Sequence, residues 1–121
     1  MGAGRMSKVL TNLGLMLTML VGAATFADDP VTIRIYNDDA ESIDLSVYDL
    51  NAQPPDAAIV NQRVNSFAWI PISVTAGAVG KGHVKWIART VDPSFRRCGS
   101  QEVRGVANDS FVYVFADSSC R

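Results

Sequence analysis

The chain has 121 residues, of which 48% are hydrophobic and 19% are charged, and its formal net charge at pH 7 is −1. This length allows one domain at most. The charge lacks the basic excess typical of nucleic-acid-binding proteins, so we expect no nucleic-acid partner.

The first 27 residues have the layout of a secretory signal peptide. Arg5 and Lys8 give a positive beginning, and the apolar stretch that follows ends in a cleavage-like pattern at Ala27. An uncut membrane anchor is the alternative, but polar residues interrupt the apolar stretch. We therefore predict a signal peptide over residues 1–27 and a single secreted or periplasmic domain over residues 28–121. This layout is typical of exported bacterial proteins, and it implies membrane contact only through the signal peptide during export.

The two cysteines, Cys98 and Cys120, are predicted to form a disulfide. Exported proteins work in oxidising compartments, where disulfides persist, and a domain of this size is only marginally stable without one. Closing the loop between these cysteines should stabilise the fold by roughly 3 kcal/mol. Two alternatives are a reactive thiolate beside Arg96 and Arg97, and a metal site, for which His83 is the only histidine.

Period-two alternation dominates the expected domain and predicts β-strands. The run VTIRIYN over residues 31–37 and the run that begins at Ile43 both alternate, and the short acidic segment between them predicts an antiparallel hairpin. Pro54 and Pro55 then interrupt the pattern, because proline cannot continue a strand ladder. We expect a short strand over residues 59–64.

The rest of the chain supplies three more strands. Residues 67–74 contain Pro71, which places this strand at a sheet edge or a bulge. Residues 83–91 alternate clearly after a glycine-rich turn, and residues 92–108 are predicted to be a long irregular connection. The run over residues 110–117 is apolar on both faces, which predicts a central strand.

Six strands separated by turns predict an all-β fold. We expect a small antiparallel β-sandwich of about six to seven strands, immunoglobulin-like or an open barrel, with one disulfide. Trp69 and Trp86 stand among apolar neighbours and are assigned to its core.

Charge is distributed unevenly along the expected domain. Acidic residues predominate up to residue 62 and basic residues after it, and twelve acids outnumber nine bases over residues 28–121. A basic end that binds an anionic partner is one interpretation. We favour the other, in which acidic and basic strands are neighbours and neutralise each other.

Two surfaces are candidates for binding. Tyr36 and Tyr48 fall on the polar face of the predicted hairpin, where exposed tyrosines can stack on sugar rings or anchor a protein partner. Ordinary cross-strand pairing is the alternative for both. The second surface is basic and includes Arg96, Arg97 and Arg104 in the segment around Cys98.

Metal binding and catalysis find less support. Asp38, Asp39 and Glu41 form a calcium candidate, but the spacing of an EF-hand is absent, and turns favour such residues for backbone reasons. A hydrolytic site would rest on His83 or on a carboxylate pair, and no Gly-x-Ser-x-Gly motif is present. We expect no catalytic residues, no resident metal and no cofactor.

The sequence therefore favours a small exported, non-enzymatic β-sandwich that binds a protein or carbohydrate ligand. The alternative is a secreted effector, toxin or inhibitor that inserts the disulfide-stapled loop over residues 92–108 into a target.

Overall fold

The computed structural model describes residues 29–120, so the predicted signal peptide lies outside the described residues. The described part of the chain contains no helix, and hence none long and apolar enough to cross a membrane. Its strands are, in chain order, β1 (Val31–Asn37), β2 (Ile43–Asp49), β3 (Asp56–Val64), β4 (Trp69–Val74), β5 (Gly82–Thr90), β6 (Arg97–Val106), β7 (Ser110–Val114) and β8 (Ser118–Ser119).

The strands form two sheets. One has three strands in the order β4-β1-β7, and the other has five in the order β3-β2-β5-β6-β8. All neighbouring strands are antiparallel except β1 and β7, which are parallel. The predicted all-β sandwich is therefore confirmed.

The core lies between the sheets, where the alternate apolar residues of each sheet meet. Ile33 and Ile35 of β1, Leu45 and Val47 of β2, and Trp86 of β5 are all fully buried. Burying these faces against each other is the main driving force for a sandwich of this size. The assignment of Trp86 to the core is confirmed.

The predicted hairpin between the first two strands is wrong. β1 belongs to the three-stranded sheet and β2 to the five-stranded sheet, so residues 38–42 cross from one sheet to the other. Alternation shows which side of a strand is buried. The same alternating pattern results whether two strands lie side by side in one sheet or face each other across a core.

A buried asparagine fixes this crossing. The side-chain amide of Asn37 donates to the carbonyl oxygen of Glu41 at 2.9 Å and to those of Val64 and Asn65 at 3.1 Å each. Its main-chain N–H also donates to the carbonyl of Ala68 at 2.9 Å. Asn37 thus ties the end of β1 to the crossing segment and to the loop between β3 and β4.

Three further predictions need correction. Most of the expected irregular connection over residues 92–108 is β6, and only residues 92–96 and 107–108 of it are irregular. β7 is an outer strand of its sheet and not a central one. Trp69 is exposed, not buried in the core. Apolar residues on both sides of a strand do not reveal whether the second side meets protein or solvent.

The predicted Cys98–Cys120 disulfide is confirmed. It joins β6 to the segment that follows β8, with the two Cα atoms 5.2 Å apart. Such a bond is typical of proteins that work in oxidising compartments.

Candidate functional site

The outer side of the three-stranded sheet carries a group of aromatic side chains around one arginine. The alternation that directs Ile33 and Ile35 of β1 into the core directs the residues between and after them outward. Neighbouring positions on β4 and β7 face the same way. We name this surface the aromatic face, and it consists of Arg34, Tyr36, Trp69, Phe111 and Tyr113.

Strand register brings these side chains together. Tyr36 on the central strand β1 lies opposite Trp69 of β4 and Tyr113 of β7, and Arg34 lies opposite Phe111. Opposite residues in a sheet have Cβ atoms about 5 Å apart, so the side chains contact one another across the strands. Three segments that are distant in sequence therefore build one surface.

The rings hold each other in fixed orientations. Tyr36 and Tyr113 pack edge to face with their centroids 5.4 Å apart, and Trp69 and Phe111 do the same at 5.9 Å. Phe111 and Tyr113 are stacked at 6.2 Å. Such pairs contribute about 0.5–1.5 kcal/mol each beyond the area that they bury. The face is thus ordered before any ligand arrives.

Arg34 is the one charged side chain of the aromatic face. Its guanidinium carbon lies 5.5 Å from the ring centroids of both Trp69 and Phe111, which is cation–π geometry. A carboxylate oxygen of Asp109 lies 4.0 Å from the guanidinium. Arginine has five N–H donors, so these contacts leave donors for a ligand.

The rings remain open to solvent despite these contacts. Tyr113 is 55% exposed, Trp69 48% and Phe111 41%. A contiguous group of exposed rings on a small domain marks a binding surface more often than a chance arrangement.

Another exposed aromatic residue, Phe67, stands just before β4 in the chain. Phe67 precedes β4, is 57% exposed and has a φ of 55°, in the left-handed region that bulky residues rarely adopt. Its N–H donates to the carbonyl of Asn37 at 3.1 Å, which holds this conformation. Strained residues of this kind are often found at functional sites, and Phe67 stands two residues before Trp69 in the chain.

The structure separates the two tyrosines that the sequence placed on one face. Tyr36 lies on the aromatic face, whereas Tyr48 lies on the outer side of the five-stranded sheet, opposite Lys85. The single tyrosine surface is therefore wrong, because it depended on the hairpin.

Sequence reasoning missed Trp69, Phe111 and Tyr113. A signal for Trp69 was present, since it shares one side of β4 with Pro71 and Ser73 while the isoleucines and valine of that strand share the other. The side of a strand that carries proline and serine is expected to face solvent and not the core.

The predicted basic surface is also divided. Arg97 is only 26% exposed, and it donates to Asp39 at 2.8 Å, to Glu41 at 3.1 Å and to the carbonyl oxygen of Ala116. Arg96 lies in the exposed segment 91–96. The structure thus assigns Arg97 to holding the fold together.

Arg104 lies apart from Arg97, near the other end of β6. It is well exposed and contacts the carboxylate of Glu102 at 3.0 Å. The three arginines therefore do not form one cluster.

Ion pairs connect the acidic and basic halves of the domain. Arg63 contacts Asp44 at 2.8 Å, and Arg97 contacts Asp39 and Glu41. This is the mutual neutralisation that we favoured from the sequence.

The calcium hypothesis meets an electrostatic obstacle. Asp39 and Glu41 both direct carboxylate oxygens at Arg97, so a cation there would meet the charge of the guanidinium. Asp38 is exposed next to them. Within residues 29–120, no three side chains of the metal-ligating types come together.

The carboxyl of Asp39 and the guanidinium of Arg97 each favour the charged form of the other. Burial raises its pKa, but hydrogen bonds from Arg97 and from the N–H groups of Ala116 and Glu41 outweigh burial and hold the pKa of Asp39 below its ordinary value. The same contact with Asp39 raises the pKa of Arg97. Both groups are therefore charged at neutral pH.

His83 contacts a carboxylate, which is the arrangement that a hydrolytic site with a histidine base would require. Its Nε2 lies 2.6 Å from the carboxylate of Glu102, whose pKa is lowered by that hydrogen bond and by the nearby charge of Arg104. The pair joins neighbouring strands on the outer side of the five-stranded sheet, and Glu102 is exposed. This geometry is that of a cross-strand hydrogen bond between side chains on the sheet surface.

A depression of about 710 Å³ lies beside the start of β1. Two of its polar side chains, Asn51 and Asn108, already have partners. Asn51 donates to the carbonyls of Thr75 and Lys81, and Asn108 accepts from the N–H of Thr32. The aromatic face is the better candidate for a site because its rings remain open.

No family model matches the chain, and no curated protein or solved structure matches it either, so its function is inferred from its own geometry.

Proposed function

We propose that this protein is a small exported, non-enzymatic binding module that binds carbohydrate chains through the aromatic face. The observation that carries the proposal is the ordered, exposed set of rings around Arg34. The π face of an aromatic ring carries negative charge and attracts the C–H groups on the apolar side of a sugar ring.

The polar groups of the face complete this recognition. The hydroxyl groups of Tyr36 and Tyr113 and the N–H groups of Arg34 can hydrogen-bond to sugar hydroxyls beside the stacked ring. The face is a sheet surface and not a closed pocket, which suits a chain ligand better than an enclosed small molecule. Rings that are already held in place lose little entropy on binding.

Export is part of the proposal. The predicted signal peptide and the disulfide both support a place in the cell envelope or outside the cell. Protein recovered from its native compartment should have a mass that begins at Asp28, and both cysteines should resist alkylation. An uncut chain with two alkylatable thiols would refute export.

Electrophoresis in native gels that each contain one soluble polysaccharide tests the binding. A panel of neutral and acidic polysaccharides is used, and we expect at least one to retard the protein. Trp69→Ala and Tyr113→Ala should abolish the retardation. Tyr48→Ala is the matched control, because it removes a tyrosine from the opposite sheet and should leave the retardation unchanged.

Fluorescence distinguishes direct stacking from an indirect effect. Trp69 is exposed and Trp86 is fully buried, so acrylamide should quench mainly Trp69. A bound polysaccharide should protect it. The proposal fails if no polysaccharide retards the protein, or if Trp69→Ala binds as well as the wild type.

The disulfide-stapled loop supports the inhibitor or effector alternative. Phe95 is 66% exposed in the segment 91–96, and Asp92 holds this turn by accepting from the N–H and hydroxyl of Ser94. Inhibition of a secreted protease that is lost in Phe95→Ala but kept in Trp69→Ala would favour this function over carbohydrate binding.

A further inference from the structure

The outermost strands of the two sheets differ in how they are protected. An unpaired strand edge is a template for another chain, and proteins usually block it. β3 is interrupted by register shifts and by Asn61 with a φ of 50°, and β4 contains Pro71. β8 has only two residues and lies next to the disulfide. β7, with the sequence SFVYV, has none of these features.

The free main-chain groups of β7 belong to the aromatic residues. The carbonyl of Val114 accepts from the N–H of Asp38 at 2.9 Å, so Val114 directs its main-chain groups toward the β1 side. Main-chain groups alternate in direction along a strand. Phe111 and Tyr113 therefore direct their N–H and C=O groups away from β1, to the side where no described strand pairs with β7.

This edge is complementary to itself. If two copies approach antiparallel about a two-fold axis at Val112, Phe111 of each copy lies opposite Tyr113 of the other. Both are outward-directed residues, so each opposite pair can exchange two main-chain hydrogen bonds. A two-fold interface requires this kind of self-complementarity.

We propose that two copies of this chain associate through β7, antiparallel about Val112, and join their three-stranded sheets into one of six strands. The aromatic residues of the two strands form cross-strand pairs on the outer side. The aromatic faces of the two copies then lie on the same side of the joined sheet. This inference goes beyond carbohydrate binding and does not depend on it.

Charge does not oppose a second copy as the occupant. β7 carries no charged side chain. Arg34, opposite Phe111 on the neighbouring strand, and Asp109, just before β7, lie 4.0 Å apart within one copy and compensate each other. Like copies can therefore approach without repulsion, and no oppositely charged partner is needed.

The interface is small, and this determines the form of the experiment. Stable interfaces usually bury at least about 1,200 Å², which two five-residue strands do not approach alone. We expect a reversible equilibrium that sedimentation velocity resolves as a shift from one chain to two with rising concentration.

Two double variants test the register. Phe111→Lys with Tyr113→Lys places lysine opposite lysine in the dimer, whereas Phe111→Lys with Tyr113→Glu places lysine opposite glutamate. Both variants lose the same aromatic rings. We expect the wild type and the Lys/Glu variant to dimerise and the Lys/Lys variant to remain a monomer at every concentration.

Several results would overturn the proposal. A wild-type protein that stays monomeric up to its solubility limit excludes the dimer, and equal behaviour of the two variants excludes the register. If circular dichroism shows either variant unfolded, amide hydrogen exchange of the wild type replaces the comparison. The amides of Phe111 and Tyr113 must then gain protection as the concentration rises, and unchanged exchange excludes pairing through β7.

Discussion

A single charged residue, Arg97, joins segments that are far apart in the chain. Its guanidinium contacts the carboxylate of Asp39, 58 residues earlier, and the carbonyl of Ala116 near the C-terminal tail. The side chain of Asp39 is only 7% exposed. A buried carboxylate is tolerated only when it is paired and hydrogen-bonded, so this contact is essential to the local structure.

Arg97→Ala should therefore destabilise the protein by about 2–4 kcal/mol, because it leaves the carboxylate of Asp39 buried without its charged partner. Arg63→Ala is the matched control. Arg63 is 53% exposed in its pair with Asp44, so its loss should change stability by less than about 1 kcal/mol. Urea unfolding of both variants measures the difference, and equal losses would contradict a special role for Arg97.

The lowered pKa of Asp39 makes stability depend on pH. An unfolded aspartate takes up its proton near pH 3.9 (about the ordinary pKa), whereas the folded carboxyl stays ionised to lower pH. The resulting stability is present above about pH 4 and is lost as the pH falls through the folded pKa.

We expect the free energy of unfolding to fall between about pH 5 and about pH 3, because the unfolded chain takes up the proton in this range while the folded carboxyl of Asp39 stays ionised, and to fall less in Asp39→Asn. Some dependence should remain, because the pKa values of Asp92 and Glu102 are also lowered. Urea unfolding at the two pH values provides the test. An unchanged pH dependence in Asp39→Asn would show that this carboxyl is not responsible.

At the scale of elements, the sequence predicts where the strands lie better than it predicts which strands share a sheet. The alternation in β1 and β2 identifies the buried side of each strand correctly, because burial follows directly from apolar character. It does not reveal which sheet a strand joins, since that depends on the crossing that Asn37 fixes through distant carbonyl groups.

Because the sequence does not reveal strand neighbours, only Tyr36 of the aromatic face was predicted to belong to a binding surface. Tyr36 could be placed on an outer surface from its own strand. Its partners Trp69 and Tyr113 come from strands that pair with β1 only in the folded sheet, one of them in parallel. A surface assembled by long-range register leaves little trace in any single segment.

The close approach of the tail to β6 makes a glycine necessary. A Cβ atom on Gly99 would overlap the carbonyl oxygen of Phe115 and lie 3.1 Å from its carbonyl carbon. The main chain there cannot move freely, because Arg97 holds the carbonyl of Ala116.

Gly99→Ala should cost at least about 2 kcal/mol, since it overpacks main chain against main chain. Gly80→Ala is the control. Gly80 has a φ of 76° and nothing within 4 Å of the added Cβ, so only backbone strain of about 1 kcal/mol is expected. Thermal or urea unfolding compares the two, and an equal or smaller loss at Gly99 would contradict the close packing.

At the scale of the whole molecule, the two outer surfaces have different characters. The three-stranded sheet presents aromatic rings, and the five-stranded sheet presents charged side chains such as Lys85, Arg89 and Glu102. The disulfide joins β6 of the five-stranded sheet to the tail, away from the central strand of the aromatic face. The disulfide and the proposed binding surface thus lie on different sheets.

The disulfide should supply a large share of the total stability. It closes a loop of 22 residues, and removing it through Cys98→Ser with Cys120→Ser should lower the free energy of unfolding by roughly 3 kcal/mol. Small domains have only about 5–15 kcal/mol in total, and the two-residue strand β8 cannot hold the tail alone. Urea unfolding of the double variant should agree with that of the wild type under reducing conditions, which controls for the serine side chains. If the double variant is as stable as the oxidised wild type, the tail is held by Arg97 and β8 instead of the disulfide.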